Sequence, residues 1–204
     1  MMKNLIKPER LLIFTDSVYA IAITLLVLDL KPPHDVSISN HQLFEDLIGQ
    51  FSNFKAYIIS FTILAKLWIK HHLIFNRIKQ VDGMVVLLNF IHILFLTLVP
   101  FASSLLGHYK HDEASAAVFI GVLCVTGLSL SLLRQYAFER KNLLLEPEET
   151  MKRLEPFPVQ YAYAIITLAA LGISFIQEDA GLLLCFLAPF VSSHLSKKYI
   201  EAHA

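Results

Sequence analysis

The chain has 204 residues, 55% of them hydrophobic and only 17% charged, with Lys+Arg equal to Asp+Glu, and its mean hydropathy is +0.57. A soluble domain of this size usually carries about 25% charged residues, so the composition points away from a soluble enzyme or module and toward an all-α polytopic membrane protein in one domain. Zero net charge argues against nucleic-acid binding, which needs a clustered basic face.

Six apolar segments follow along the chain, expected as transmembrane helices at about residues 9–30, 51–69, 83–106, 114–136, 158–176 and 181–195. The first is long enough to cross a bilayer, which takes about 20 residues, and is stopped by Pro32-Pro33. Lys3, Lys7 and Arg10 ahead of an apolar run resemble a signal peptide. Asp16 interrupts that run, however, and no small-residue cleavage site follows, so the segment is expected to stay in the mature protein. His34 to about Glu45 reads as a polar loop. The second segment ends in Lys70-His71-His72, and the third contains Asn89, His92 and Pro100. Short hinges at Gly107–Glu113 and Gln177–Asp179 predict helical hairpins. The charged stretch Glu146–Glu155 reads as a solvated loop. Cys124 and Cys185 lie in apolar runs and are expected as buried spectator thiols.

Lys and Arg sort to two sides. One side collects Lys3, Lys7, Arg10, Lys70, Arg77, Lys79, Arg134, Arg140, Lys141, Lys152, Arg153, Lys197 and Lys198; the other has Lys31, Lys110 and, if that end is exposed, Lys55. With an even number of spans, this bias puts both termini in the cytoplasm.

The first helix carries the chemistry. Asp16 sits one to two turns into the membrane, where an unpartnered charge costs about 3 kcal/mol or more. Arg10 is six residues away, about 9 Å along the axis and about 120° around it, so the two cannot easily pair. Each needs a partner at the same depth, which predicts a polar cluster of Arg10, Asp16, His71 or His72, and Asn89, near Trp68. Interfacial solvation of Arg10 and the histidine pair is the plainer alternative. At 100° per residue, Ile21, Leu25 and Leu28 form one stripe, edged by Ser17 and Thr24. Two readings of that stripe stand. It is a helix–helix seam whose hydroxyls bond backbone carbonyls, or a pore lining in which apolar rings constrict and hydroxyls replace part of an ion's hydration. His92 reads as a packing histidine, and Asp29 as either a cation-concentrating mouth residue or an interfacial charge. No acid/base dyad, nucleophile elbow or metal-ligand spacing appears, so no enzyme is expected.

Arg10-Leu-Leu-Ile-Phe14-Thr15-Asp16 resembles the R-x-x-x-F-[ST]-D signature of the transmembrane protein 175 family, the endosomal and lysosomal potassium channels and their prokaryotic relatives. The continuation Ala20–Leu28 is similar too, as are Trp68-x-x-His71-His72, Asn89 and Pro100-Phe101. Thr15 stands where many members have Ser, and both carry a hydroxyl. The resemblance implies an α-helical channel of six spans per repeat without a P-loop filter. It also implies, for a single-repeat chain, a homotetramer whose first helices line a central pore. By motif position it implies Ile21, Leu25 and Leu28 as the hydrophobic constriction, with Thr24, beside Ser17, as the polar layer. Arg10, Phe14, Thr15, Asp16, Trp68, His71, His72 and Asn89 are implied to form the network that holds the pore helix. Asp16 lies about 140° around the helix from Ile21 and should point away from the axis. The expected partners are the lipid bilayer and monovalent cations, with permeant potassium ions and no cofactor, in a multi-pass cell-membrane setting. Two other functions compete: a proton-coupled secondary transporter using Asp16 and nearby histidines as a relay, and a non-conducting assembly protein.

Overall fold

The computed structural model describes residues 6–31, 40–109, 112–147 and 157–202. Lys3, Pro32-Pro33, His34, Lys110, Lys152, Arg153 and Glu155, invoked above, lie outside the described residues.

The first helix, α1, spans Pro8–Leu25 and tightens into a 3₁₀ turn at Leu26–Asp29. Pro8 opens it, a position where the missing proline N–H has no intrahelical partner to lose. A second helix, α2 (Asn40–Gly49), occupies part of the segment expected as a polar loop. Leu43, Phe44, Leu47 and Ile48 recur there at helical spacing among polar residues, and all four are exposed. The charged and amide residues of the segment hid this amphipathic face. One residue, Gln50, separates α2 from α3 (Phe51–Phe75).

Helix α3 runs 25 residues, six past the expected end, because Lys70, His71 and His72 continue the helical register rather than ending it. The third expected segment is two helices, α4 (Gly83–Leu96) and α5 (Val99–His108). The break at Thr97-Leu98 follows from Pro100 in the first turn of α5, which supplies no N–H to the preceding turn. Asp82 caps α4, its Oδ1 accepting from the Met84 and Val85 amides at 3.1 and 2.9 Å. Helix α6 (Glu113–Glu139) starts at an Asp112 cap. A 3₁₀ turn at Lys141–Leu143 follows, and the Lys79 amide bonds the Leu143 carbonyl at 2.8 Å.

The fifth expected segment begins as a short turn, α7 (Phe157–Gln160), and continues after Tyr161 as α8 (Ala162–Ser174). Helix α9 (Glu178–Ala202) packs back on α8 through the predicted tight hinge. Gly181 permits that crossing, because a Cβ there would sit 2.8 Å from the Ala170 carbonyl oxygen.

Among the described residues, five helical stretches are long and apolar enough to span a membrane: Pro8–Asp29, Phe51–Phe75, Gly83–His108, Glu113–Glu139 and Glu178–Ala202. Helix α8, at 13 residues, is shorter. The molecule is therefore an all-helical, multi-pass membrane protein. Helix α6 is its centre, with 56% of its apolar window buried, against 28% for α1 at the periphery. Cys185 is buried and Cys124 half-buried, both as free thiols.

Candidate functional site

Helix α1 has two opposed faces. Leu11, Thr15, Tyr19, Ala22 and Leu26 are spaced four, four, three and four residues apart and are all buried. They form one stripe against α3, α4 and α5. On the opposite side Ile13, Ser17, Ile21, Thr24, Leu25 and Leu28 are exposed, Ile21 by 58% and Leu28 by 65%. The hydroxyls on this outer face are tethered within the helix. Ser17 Oγ donates to the Ile13 carbonyl at 2.9 Å, and Thr24 Oγ1 lies 2.9 Å from the Ala20 and Ile21 carbonyls. Each hydroxyl hydrogen is thus used inward, which leaves oxygen lone pairs on the outer side.

Behind the buried stripe runs a ladder of polar contacts. Thr15 Oγ1 donates to the Leu11 carbonyl at 2.9 Å and accepts from Asn89 Nδ2 at 2.8 Å. Asn89 Oδ1 faces His71 Nε2 at 2.9 Å. An amide oxygen only accepts, so His71 carries its proton on Nε2. One turn on, Tyr19 Oη meets His92 Nε2 at 2.8 Å. His92 Nδ1 faces the Thr126 carbonyl at 3.2 Å and Ser129 Oγ at 3.0 Å. Ser129 already donates to that carbonyl; the Nδ1 proton therefore points to α6, and Nε2 accepts from the tyrosine. The two imidazoles stack at 5.8 Å with an interplanar angle of 10°. The ladder joins α1, α3, α4 and α6 without an ionised group.

Asp16 lies beside this ladder and accepts from Trp68 Nε1 at 2.9 Å, while Trp68 packs on His72 at 5.9 Å. Phe14 meets Phe90 at 5.8 Å. Of the two histidines left open, His71 is the partner of Asn89; Asn89 reaches α1 through Thr15; and Arg10 is exposed at the helix start, outside the expected cluster. No hydrogen bond or ion pair ties Arg10 to Asp16, His71, His72 or Asn89 among the described residues, which fits the wide angle between Arg10 and Asp16. At the far end of α1, Asp29 accepts from Ser104 Oγ at 2.8 Å.

Sequence reasoning left Tyr19 out of the network and treated His92 as plain packing. The signal was present in the spacing: Tyr19 is four residues after Thr15, and His92 three after Asn89, so each pair shares a helix face. Thr126 and Ser129 had no comparable signal.

A family model described as endosomal/lysosomal potassium channel TMEM175 matches residues 10–100, from Arg10 into the first turn of α5. A potassium channel of Chamaesiphon minutus is 29% identical over 182 residues, covering 87% of this chain and 89% of that protein. The crystal structure described as a lysosomal potassium-selective channel TMEM175 homolog from the same organism superposes with a TM-score of 0.77 at 27% identity, covering 93% of this chain and 97% of that one. Over residues 10–100 the chain matches the TMEM175 family. A second potassium channel, from Streptomyces collinus, is 30% identical over 60% of this chain and 58% of its own length. The chicken endosomal/lysosomal proton channel TMEM175 is 32% identical, but this chain spans only 30% of it. The region matched to the TMEM175 family includes every member of the ladder except Thr126 and Ser129.

Proposed function

We propose that this chain is a potassium-permeable cation channel of the cell membrane. It acts as a homotetramer in which α1 lines the central pore, with six spans per subunit, the stretch from α7 through α8 serving as the fifth, and both termini in the cytoplasm. Ile21, Leu25 and Leu28 form the hydrophobic constriction, and Thr24 with Ser17 the polar layer. The observation that carries this reading is the uncovered outer face of α1, apolar but edged with hydroxyl oxygens whose hydrogens are used inward. One lining helix cannot enclose a path; a closed ring of copies can. Four copies place four branched side chains at one level, which occludes a hydrated ion by dewetting until the ring widens or rotates. Without a carbonyl cage, potassium is preferred over sodium only modestly, and the permeant ion is the only ligand the function needs. The names of the bacterial relatives support potassium as that ion.

Orientation rests on the basic residues. Arg10, Lys70, Arg77 and Arg134 share one end of the bundle, whereas Lys55 bonds Asp179 at the other, at 3.2 Å. The proton-relay alternative loses ground on geometry: His92 spends both ring nitrogens inside the bundle, and His71 uses Nε2 on Asn89.

The test is flux in liposomes with the purified protein, together with reversal potentials under potassium/sodium gradients. Ile21→Asn is expected to raise flux and shift ion preference, because it wets the constriction. Unchanged flux and preference in a folded Ile21→Asn protein would remove the constriction assignment.

A further inference from the structure

The uncovered face of α1 does not end at Ser17. Arg10 precedes Ser17 and Ile21 and lies about 20° around the helix from each, about 16 Å along the axis from Ile21. Phe14, one turn on from Arg10, falls on the same side and is 46% exposed, and Arg10 itself is exposed. Arg10, Phe14, Ser17 and Ile21 therefore form one line, with the guanidinium at its amino-terminal end. Helical side chains lean toward the amino terminus of their helix, so Arg10 leans out of the bilayer and away from Asp16.

Among the described residues, no hydrogen bond, ion pair or ring contact holds the Arg10 guanidinium. Its place is not explained by the helix either. Arg10 is the third residue of α1, where the helix dipole favours an anion such as Glu9 and opposes a cation. The bias of positive charge toward the cytoplasm accounts for a basic residue at this end of α1. It does not select the one face that the rest of the subunit leaves bare. Lys7 and Glu9, both exposed, offset one another, and Asp16 is turned to Trp68. At the other end of α1, Asp29 is followed by Lys31, again two opposite charges. The two ends of the line thus differ by one uncompensated guanidinium.

We propose that Arg10 is a conduction-determining residue. Repeated around the axis, it forms a cationic ring at the cytoplasmic mouth, and the channel passes potassium more readily into the cytoplasm than out of it. The ring presupposes α1 as the pore lining, the reading given above. Positive charge at a mouth lowers the concentration of cations waiting to enter from that side. Outward current is limited by that entry, and inward current is not. The amino termini of α1, each the positive end of a helix dipole, act in the same sense. For a few unit charges within about one Debye length of the ion, the drop in local cation concentration is about two- to fivefold.

Currents in inside-out patches from giant bacterial spheroplasts expressing the full chain test this, with equal potassium chloride on both sides. In about 0.1 M salt, inward current is expected to exceed outward current at the opposite voltage by about twofold or more. In about 1 M salt, where the Debye length falls from about 10 to about 3 Å, the ratio should approach one. Arg10→Gln should raise outward current about twofold in the dilute salt and change little in the concentrated one. Arg10→Lys should keep the wild-type ratio. Lys198→Gln, which removes an exposed charge from the same end of the bundle but on α9, should keep it too. Equal inward and outward currents in dilute salt overturn the proposal, as does a wild-type ratio that survives in Arg10→Gln or in concentrated salt. If Arg10→Gln does not fold, the wild-type salt series with Lys198→Gln decides. Symmetric currents alongside a raised flux in Ile21→Asn leave the pore reading standing; a folded oligomer that passes no potassium current fails that reading and the ring together.

Discussion

Thr15, Asn89 and His71 form a chain in which each side chain has a different fallback. Thr15 keeps its bond to the Leu11 carbonyl whatever happens to Asn89, whereas His71 Nε2 has Asn89 as its partner. Asn89→Leu is therefore expected to cost about 2–3 kcal/mol and Thr15→Val about 1, since only the former strands a ring N–H. Reversible unfolding of the detergent-solubilised protein measures both. A Tyr19→Phe/His92→Leu double-mutant cycle should return a coupling of about 0.6–1.7 kcal/mol, the range of interhelical hydrogen bonds in membranes. Much of this chemistry was legible in the sequence: Asp16, Trp68, Asn89 and the two adjacent histidines stand out as polar groups in apolar surroundings. Their pairing was not legible. Choosing between His71 and His72, or between Thr15 and Asp16, depends on helix rotations of about 100° that only the packed bundle fixes.

At the level of elements, apolar run length located the membrane helices, since bilayer thickness sets that length. It could not find ends or breaks. Helix α3 continues through Lys70-His71-His72 because those residues are tolerable helix formers whose neighbours are buried on one side. Helix α2 was hidden by its polar face, and the α4–α5 break was signalled only by Pro100. The glycines sort by what surrounds them. Gly181→Ala pushes a methyl to within 2.8 Å of the Ala170 carbonyl and the Ser174 Cα, which the α8–α9 contact can relieve only by moving apart. It should cost about 1–3 kcal/mol. Gly121→Ala and Gly172→Ala meet nothing within 4 Å and are expected to be neutral or to stabilise by up to about 1 kcal/mol. Thermal midpoints of the three variants compare the two outcomes directly.

For the whole molecule, the proposed symmetry makes a geometric demand. A residue facing a rotation axis meets its own copies, so Leu25→Cys in a Cys124→Ser background should form disulfide-linked dimers on mild oxidation. Leu94→Cys, 60% exposed on α4 rather than on the proposed lining helix, should stay monomeric on a denaturing gel. Equal cross-linking at both positions would count against α1 at the axis. The polar ladder also has a consequence in time. Ribosomes release roughly 5–20 residues per second, and α1 emerges before any of its partners exist. Asp16 precedes Trp68 by 52 residues, Tyr19 precedes His92 by 73 and Thr15 precedes Asn89 by 74. For several seconds the nascent α1 must therefore hold a carboxylate and a phenol beside lipid or within the insertion machinery, with nothing of its own chain to bond. Its membrane insertion is best viewed as provisional until α3 and α4 arrive, and a nascent chain stalled before Trp68 should be extracted by alkali far more readily than one stalled after His92.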